Sequence, residues 1–174
     1  MLKSGRGRIW VPLREPGKKK MKLTEIYMLP PSRLINFIYG RGRQFDESIL
    51  GESGEMGLRS FWETVSEWEP YQTHPALTEM GPGELHKLLP LFLFVDGYEV
   101  HRRSEYYAWL WCSGMTRTGS SYDSVFPIAV VRHACMPTNE IKKMVFWEIY
   151  RYIASDFAWM QAGLTRDGAP LAGG

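Results

Sequence analysis

Apolar positions in this chain recur with two periods, and the change from one to the other marks its elements. Leu91 to Val95 are five apolar residues in a row running into Asp96 and Gly97. A short apolar run without polar alternation predicts a strand buried on both faces, inside a sheet, with a carboxylate at its end. After a turn over Asp96 to Glu105, residues 106 to 112 form a second strand. Tyr106, Ala108, Leu110 and Cys112 point one way and Tyr107, Trp109 and Trp111 the other. Val125 to Val131 is a third strand; it contains Pro127, which cannot donate to a ladder, so it belongs at an edge. The predicted sheet is an antiparallel meander of order 3-2-1 with the first strand inward.

Elsewhere the period is helical. Leu58, Phe61, Trp62, Val65 and Trp68 make one stripe of a helix over 55–69 that Pro70 stops. The longest helix, 138–162, is opened by Thr138 or Asn139 as cap, with Glu140 in its first turn. Ile141, Val145, Ile149, Tyr152 and Ile153 form its apolar stripe, and Gly163 ends it. Ser32 stands where an N-cap would sit before a short helix closed by Gly40. Residues 22–29 are ambiguous in period, 41–54 read as loop or flexible linker, and 70–83 are rich in turn residues. The expected organisation is a basic flexible arm over 1–22, short elements and linker over 23–54, one domain over 55–163 and a flexible tail over 164–174. The fold class is α+β.

Charge adds an asymmetry. Residues 1–22 carry eight cations against Glu15 alone, a net +7 that leaves −5 for the other residues of a chain whose total is +2. Lys18, Lys19 and Lys20 are the densest part of this arm. With Arg41 and Arg43 of the Gly40-Arg-Gly-Arg stretch, they are the candidate nucleic-acid contacts. The two cysteines, Cys112 and Cys135, suggest a reducing compartment, nuclear or cytoplasmic. The longest apolar stretch, Leu88 to Val95, is interrupted by Pro90 and too short to cross a bilayer. The histidines and cysteines lack paired zinc-ligand spacing, and there is no Walker loop, GxSxG or dinucleotide fingerprint.

A strand ending in Asp, two more antiparallel strands and a long helix, with the words LFLFVDGYEV and YYAWLWCSG, resemble the first half of the ribonuclease H-like core of integrases and transposases. The resemblance covers about 88–162. It implies that Asp96 is a catalytic carboxylate and a ligand of Mg2+ or Mn2+, and that the ancestral activity is metal-dependent cleavage or strand transfer on DNA. Glu148 is the candidate second ligand, since at 100° per residue it lies beside the apolar stripe of its helix. The family's fourth and fifth strands and their acids should follow that helix and do not, so the resemblance implies a truncated or decayed core, inactive alone.

The same truncation poses a physical problem. Without a fourth strand, 91–95 would show unpaired backbone groups along a hydrophobic edge. Either residues 22–29 or another N-terminal segment pairs there, or the chain forms a homo-oligomer through that edge. The alternative functional reading is a non-catalytic α+β module that binds nucleic acid or protein through its basic arm or open edge.

Overall fold

The computed structural model describes residues 7–42, 45–51, 53–73, 78, 82–100, 104–116 and 124–171. Its chain begins with a strand where flexibility was expected. β1 (Gly7–Arg14) and β2 (Met21–Met28) form an antiparallel hairpin in which Ile9 lies opposite Ile26, Val11 opposite Thr24 and Leu13 opposite Lys22. The reversal is built by Glu15-Pro16-Gly17-Lys18, where Lys18 N donates to Glu15 O at 3.0 Å and Gly17 has φ +77°. Proline sets the first central φ of such a turn, and glycine supplies the positive φ of the second. The segment is ordered because alternate residues of GRIWVPLR are apolar: Val11 and Leu13 are buried, and β1 packs against the long helix.

The chain divides into two compact units that interleave along the sequence. The first comprises residues 1–40, 93–111 and 127–174, the second 41–92 and 112–126. In the first, helix α1 (Pro31–Tyr39) follows the hairpin directly and packs against the C-terminal helix, labelled α3 below (Asn139–Gln161). Pro30 rather than Ser32 is the N-cap residue of α1; Ser32 lies inside the helix, where its hydroxyl serves a tertiary contact instead. α3 has the expected bounds: the Thr138 hydroxyl accepts from Ile141 N at 3.3 Å, and Val145, Ile149, Tyr152 and Ile153 are buried.

β3 (Leu91–Glu99), β4 (Glu105–Ser113) and β5 (Val125–Arg132) form a three-stranded sheet in that order. The meander and the edge position of the proline-containing strand follow the sequence pattern. Phe146 of α3 lies edge-on to Tyr107 and Trp109 of β4, with centroids at 5.4 and 4.7 Å, so the long helix covers this face of the central strand.

β3 departs from expectation in two ways. It is an exposed edge strand rather than a doubly buried inner one, with Leu93, Phe94 and Tyr98 each more than a third accessible. It also continues through Asp96-Gly97 to Glu99, and Val100 N to Ser104 O, 2.8 Å, closes the hairpin beyond it. Asp-Gly is a turn dipeptide only when the strand on either side can end there. Here Tyr98 stacks on Tyr106 at 5.9 Å, and this cross-strand pair carries the ladder past the glycine. Nor do residues 22–29 supply the missing neighbour of β3, because β1 and β2 form a two-stranded sheet of their own. Among the described residues no strand lies on the free side of β3.

In the second unit, residues 46–50 form a π-helical turn that buries Ile49, and Thr116 Oγ1 donates to Ser48 O at 2.7 Å, so this stretch is not an open linker. Helix α2 (Gly54–Ser66) buries Leu58 and Trp62, and the Trp62 indole donates to Leu88 O at 2.7 Å. α2 ends before Pro70, which sits in a separate helical turn, Glu69–Gln72, and Trp68 is left exposed.

Residues 164–171 of the C-terminal tail, in the first unit, are also held by hydrogen bonds. Thr165 N donates to Ala169 O at 2.7 Å and Leu171 N to Gly163 O at 2.8 Å. The Arg166 guanidinium lies 3.9 Å above the Tyr152 ring.

Candidate nucleic-acid interface

Pairing in the hairpin sorts its residues onto two faces. Ile9, Val11, Leu13 and Met28 share the inner face, on which Val11, Leu13 and Met28 are buried. The outer face carries Arg8 opposite Tyr27, Trp10 opposite Glu25, Pro12 opposite Leu23 and Arg14 opposite Met21. It presents large apolar side chains to solvent: Trp10 is 57% accessible, Tyr27 52% and Leu23 59%. Water contact at three such side chains on one small ribbon is an unfavourable arrangement for a surface with no partner.

The cations of the arm surround this face. Lys18, Lys19 and Lys20 are exposed at the hairpin tip, with no ion pair among the described residues. Lys22 approaches Glu15 at 3.9 Å, and both are well exposed, so this pair is loosely held. Arg8 reaches Glu25 at 3.3 Å and its guanidinium lies 5.6 Å from the Tyr27 ring, which keeps that cation beside an aromatic platform. Arg14 donates to Ala134 O at 3.4 Å and is fixed near the base of the tip. The ribbon therefore combines flat aromatic faces with a cationic rim, the two elements that hold unpaired bases and the phosphates between them.

Of the residues singled out from sequence, Lys18, Lys19 and Lys20 belong to this ribbon. Arg41 is exposed in the second unit, and Arg43 lies outside the described residues. Trp10 and Tyr27 were not singled out. The signal that finds them is the strict alternation of Arg8, Trp10, Pro12 and Arg14 with Ile9, Val11 and Leu13, read together with the Glu15-Pro16-Gly17-Lys18 turn.

The two acids of the metal reading sit differently. A Cβ on Gly97 would meet the Tyr107 ring at 3.5 Å, and Tyr107 faces α3 through Phe146 and Lys142, whose Nζ donates to its hydroxyl at 2.6 Å. Gly97 is therefore on the helix side of β3, and its neighbour Asp96 points to the opposite side. Glu148, on α3, forms an ion pair with Arg151 at 2.6 Å. Among the described residues no three His, Cys, Asp or Glu side chains are grouped to hold a metal ion. Among the histidines and cysteines, His133 pairs with Glu105 at 2.7 Å. Burial pushes the Cys112 and Cys135 thiols up from their ordinary values; His74 and His101 lie outside the described residues.

A second concave feature lies in the first unit, an apolar groove of about 370 Å³ bordered by Tyr27, Met28, Leu34, Phe37, Ile128 and Val130. Arg33 is its charged border residue, and it is paired with Asp167 at 3.1 Å. No helix among the described residues is long and apolar enough to cross a membrane. The chain matches no protein-family model, no curated protein and no solved structure.

Proposed function

We propose that this protein is a non-catalytic nucleic-acid-binding module that takes single-stranded polynucleotide on the outer face of the β1–β2 hairpin. The observation that carries this reading is the exposure of Trp10 and Tyr27 on one face of a ribbon whose tip bears three exposed lysines with no ion pair among the described residues. Bases stack on the two rings, and the lysines with Arg8 and Arg14 follow the phosphates. Recognition of this kind tolerates sequence, because every base offers a π-face and every linkage a charge.

The test is a fluorescence-anisotropy titration with labelled oligo-dT and oligo-U at several salt concentrations. Replacing Lys18, Lys19 and Lys20 by Ser is expected to lower the slope of log K against log salt by about 2, since each lost phosphate contact removes roughly 0.7 on single strands. Trp10→Ala is expected to weaken binding by about 1–3 kcal/mol at every salt concentration with the slope unchanged. Binding indifferent to both changes would remove the reading.

The ribonuclease H-like reading, a truncated or decayed transposase core using Mg2+ or Mn2+ on DNA, draws support from the strand order β3-β4-β5 followed by the long helix. No group of three His, Cys, Asp or Glu side chains among the described residues adds to that support. It predicts Mg2+-dependent DNA cleavage or binding that Asp96→Ala abolishes. The binding-module reading predicts indifference to both metal and Asp96.

A further inference from the structure

The free edge of β3 is a second surface without an occupant among the described residues. Its hydrogen-bonding groups can be assigned by parity. Val100 N bonds Ser104 O across the hairpin, and Gly114 N bonds Pro90 O at the far end, both at 2.8 Å. Even-numbered residues of β3 thus turn their N–H and C=O toward β4 at both ends of the ladder. Odd-numbered ones, Leu93, Val95 and Gly97, turn theirs away from it. Side chains beside this row are apolar and half-open: Leu93 is 37% accessible, Phe94 37%, Tyr98 38% and Val100 45%. A flat apolar edge with unsatisfied backbone groups is what sheets ordinarily cover, blunt with lysine, or extend.

We infer that β3 pairs with β3 of a second copy of this chain, antiparallel about a two-fold axis near Phe94 and Val95, joining the two sheets in the order β5-β4-β3-β3-β4-β5. Two features of the strand select this occupant. Its only charges are Asp96 and Glu99, both in its C-terminal half. A parallel partner copy would set each acid against itself. The antiparallel copy sets Asp96 against a phenylalanine, and a two-fold makes every such contact twice. The second feature is size. Phe92, at 47% accessible the most open large apolar side chain of β3, with Leu93, Phe94, Tyr98 and Val100 offers about 400–450 Å² per copy at the areas such side chains present. The pair buries roughly 900 Å², at the small end of specific interfaces, so the dimer is a weak one that forms at micromolar concentrations and above.

Sedimentation velocity on the full chain, purified free of nucleic acid, from about 5 to 300 μM tests this. The weight-average mass of the native protein is expected to rise from the 20.1 kDa of one chain toward twice that value. Leu93→Pro removes an outward N–H, takes nothing from the ladder to β4 and suits an edge strand, so it is expected to stay monomeric with an unchanged far-UV spectrum. Phe94→Lys places a cation on the same edge and is expected to do likewise, which keeps the test decisive should the proline variant misfold. A native protein that stays at 20.1 kDa throughout, or a folded Phe94→Lys that associates as strongly as the native chain, overturns the inference.

Discussion

Asp156 of α3 accepts both polar hydrogens of Ser32 at the start of α1: Oδ2 takes the backbone N–H at 2.9 Å and Oδ1 the hydroxyl at 2.7 Å. Both residues are fully buried. A carboxylate is costly to take out of water. Here its charge meets the positive end of a helix dipole, and a hydrogen bond reaches each oxygen. This contact joins two helices separated by more than a hundred residues. Asp156→Ala is expected to cost about 2–4 kcal/mol, because it strands two buried donors, and Ser32→Ala less. Urea-unfolding midpoints of the two variants check the order.

Gly7, the first residue of β1, lies against the Tyr152 hydroxyl, and a Cβ at this position would overlap that oxygen. Gly7→Ala is expected to destabilise the docked hairpin by about 1–3 kcal/mol through overpacking. Tyr152→Phe removes a hydroxyl that is buried with no hydrogen-bond partner among the described residues, so it is expected to be nearly neutral alone. In the double variant it should recover only part of the loss, because the Tyr152 ring carbon Cζ, which phenylalanine keeps, would also overlap the new Cβ. A double-mutant cycle by thermal unfolding measures the coupling, and additive effects would show that the contact is not made.

Tyr152 also sets an alkaline limit. Burial pushes its phenol up from the ordinary value of 10.0, with Asp156 adding to the rise and the Arg166 and Arg33 cations opposing it. In the unfolded chain the phenol ionises at its ordinary value, so above about pH 10 the unfolded state binds fewer protons than the folded one and stability falls as pH rises. The contribution is complete below that pH and is lost on passing through the raised folded value. Unfolding midpoints from pH 8 to 11.5 should decline less steeply in Tyr152→Phe than in the native chain.

Gly17 turns the hairpin at φ +77°. Gly17→Ala is expected to cost about 1–2 kcal/mol, the penalty of a side chain in the left-handed region. Its effect on oligonucleotide binding should follow the loss of hairpin order. Amide exchange of β1 and β2 measured beside the anisotropy titration separates a loosened ribbon from a lost contact.

The sequence by itself determined the local elements, because each rests on a period that neighbouring residues impose on one another. The long C-terminal helix with its Thr138 cap, the three-stranded meander with strands beginning near 91, 106 and 125, and the edge position that Pro127 requires were all legible in this way. The tertiary structure decided which apolar faces meet. LFLFV reads as an interior strand because its residues are apolar, yet it lies at an edge, since burial depends on what else the chain can place beside it, and β2 is taken by β1. The hairpin escaped the composition-based reading of a basic arm because the lysines that make residues 1–22 look solvated are gathered in its turn. Its alternating inner residues find a counterpart in α3, more than a hundred residues later. Asp96 was named as a metal ligand from the resemblance, and the pleat of β3 turns it away from the side on which α3 lies. A one-residue difference in facing is set by the cross-strand pairing of Gly97 with Tyr107, which no local pattern contains.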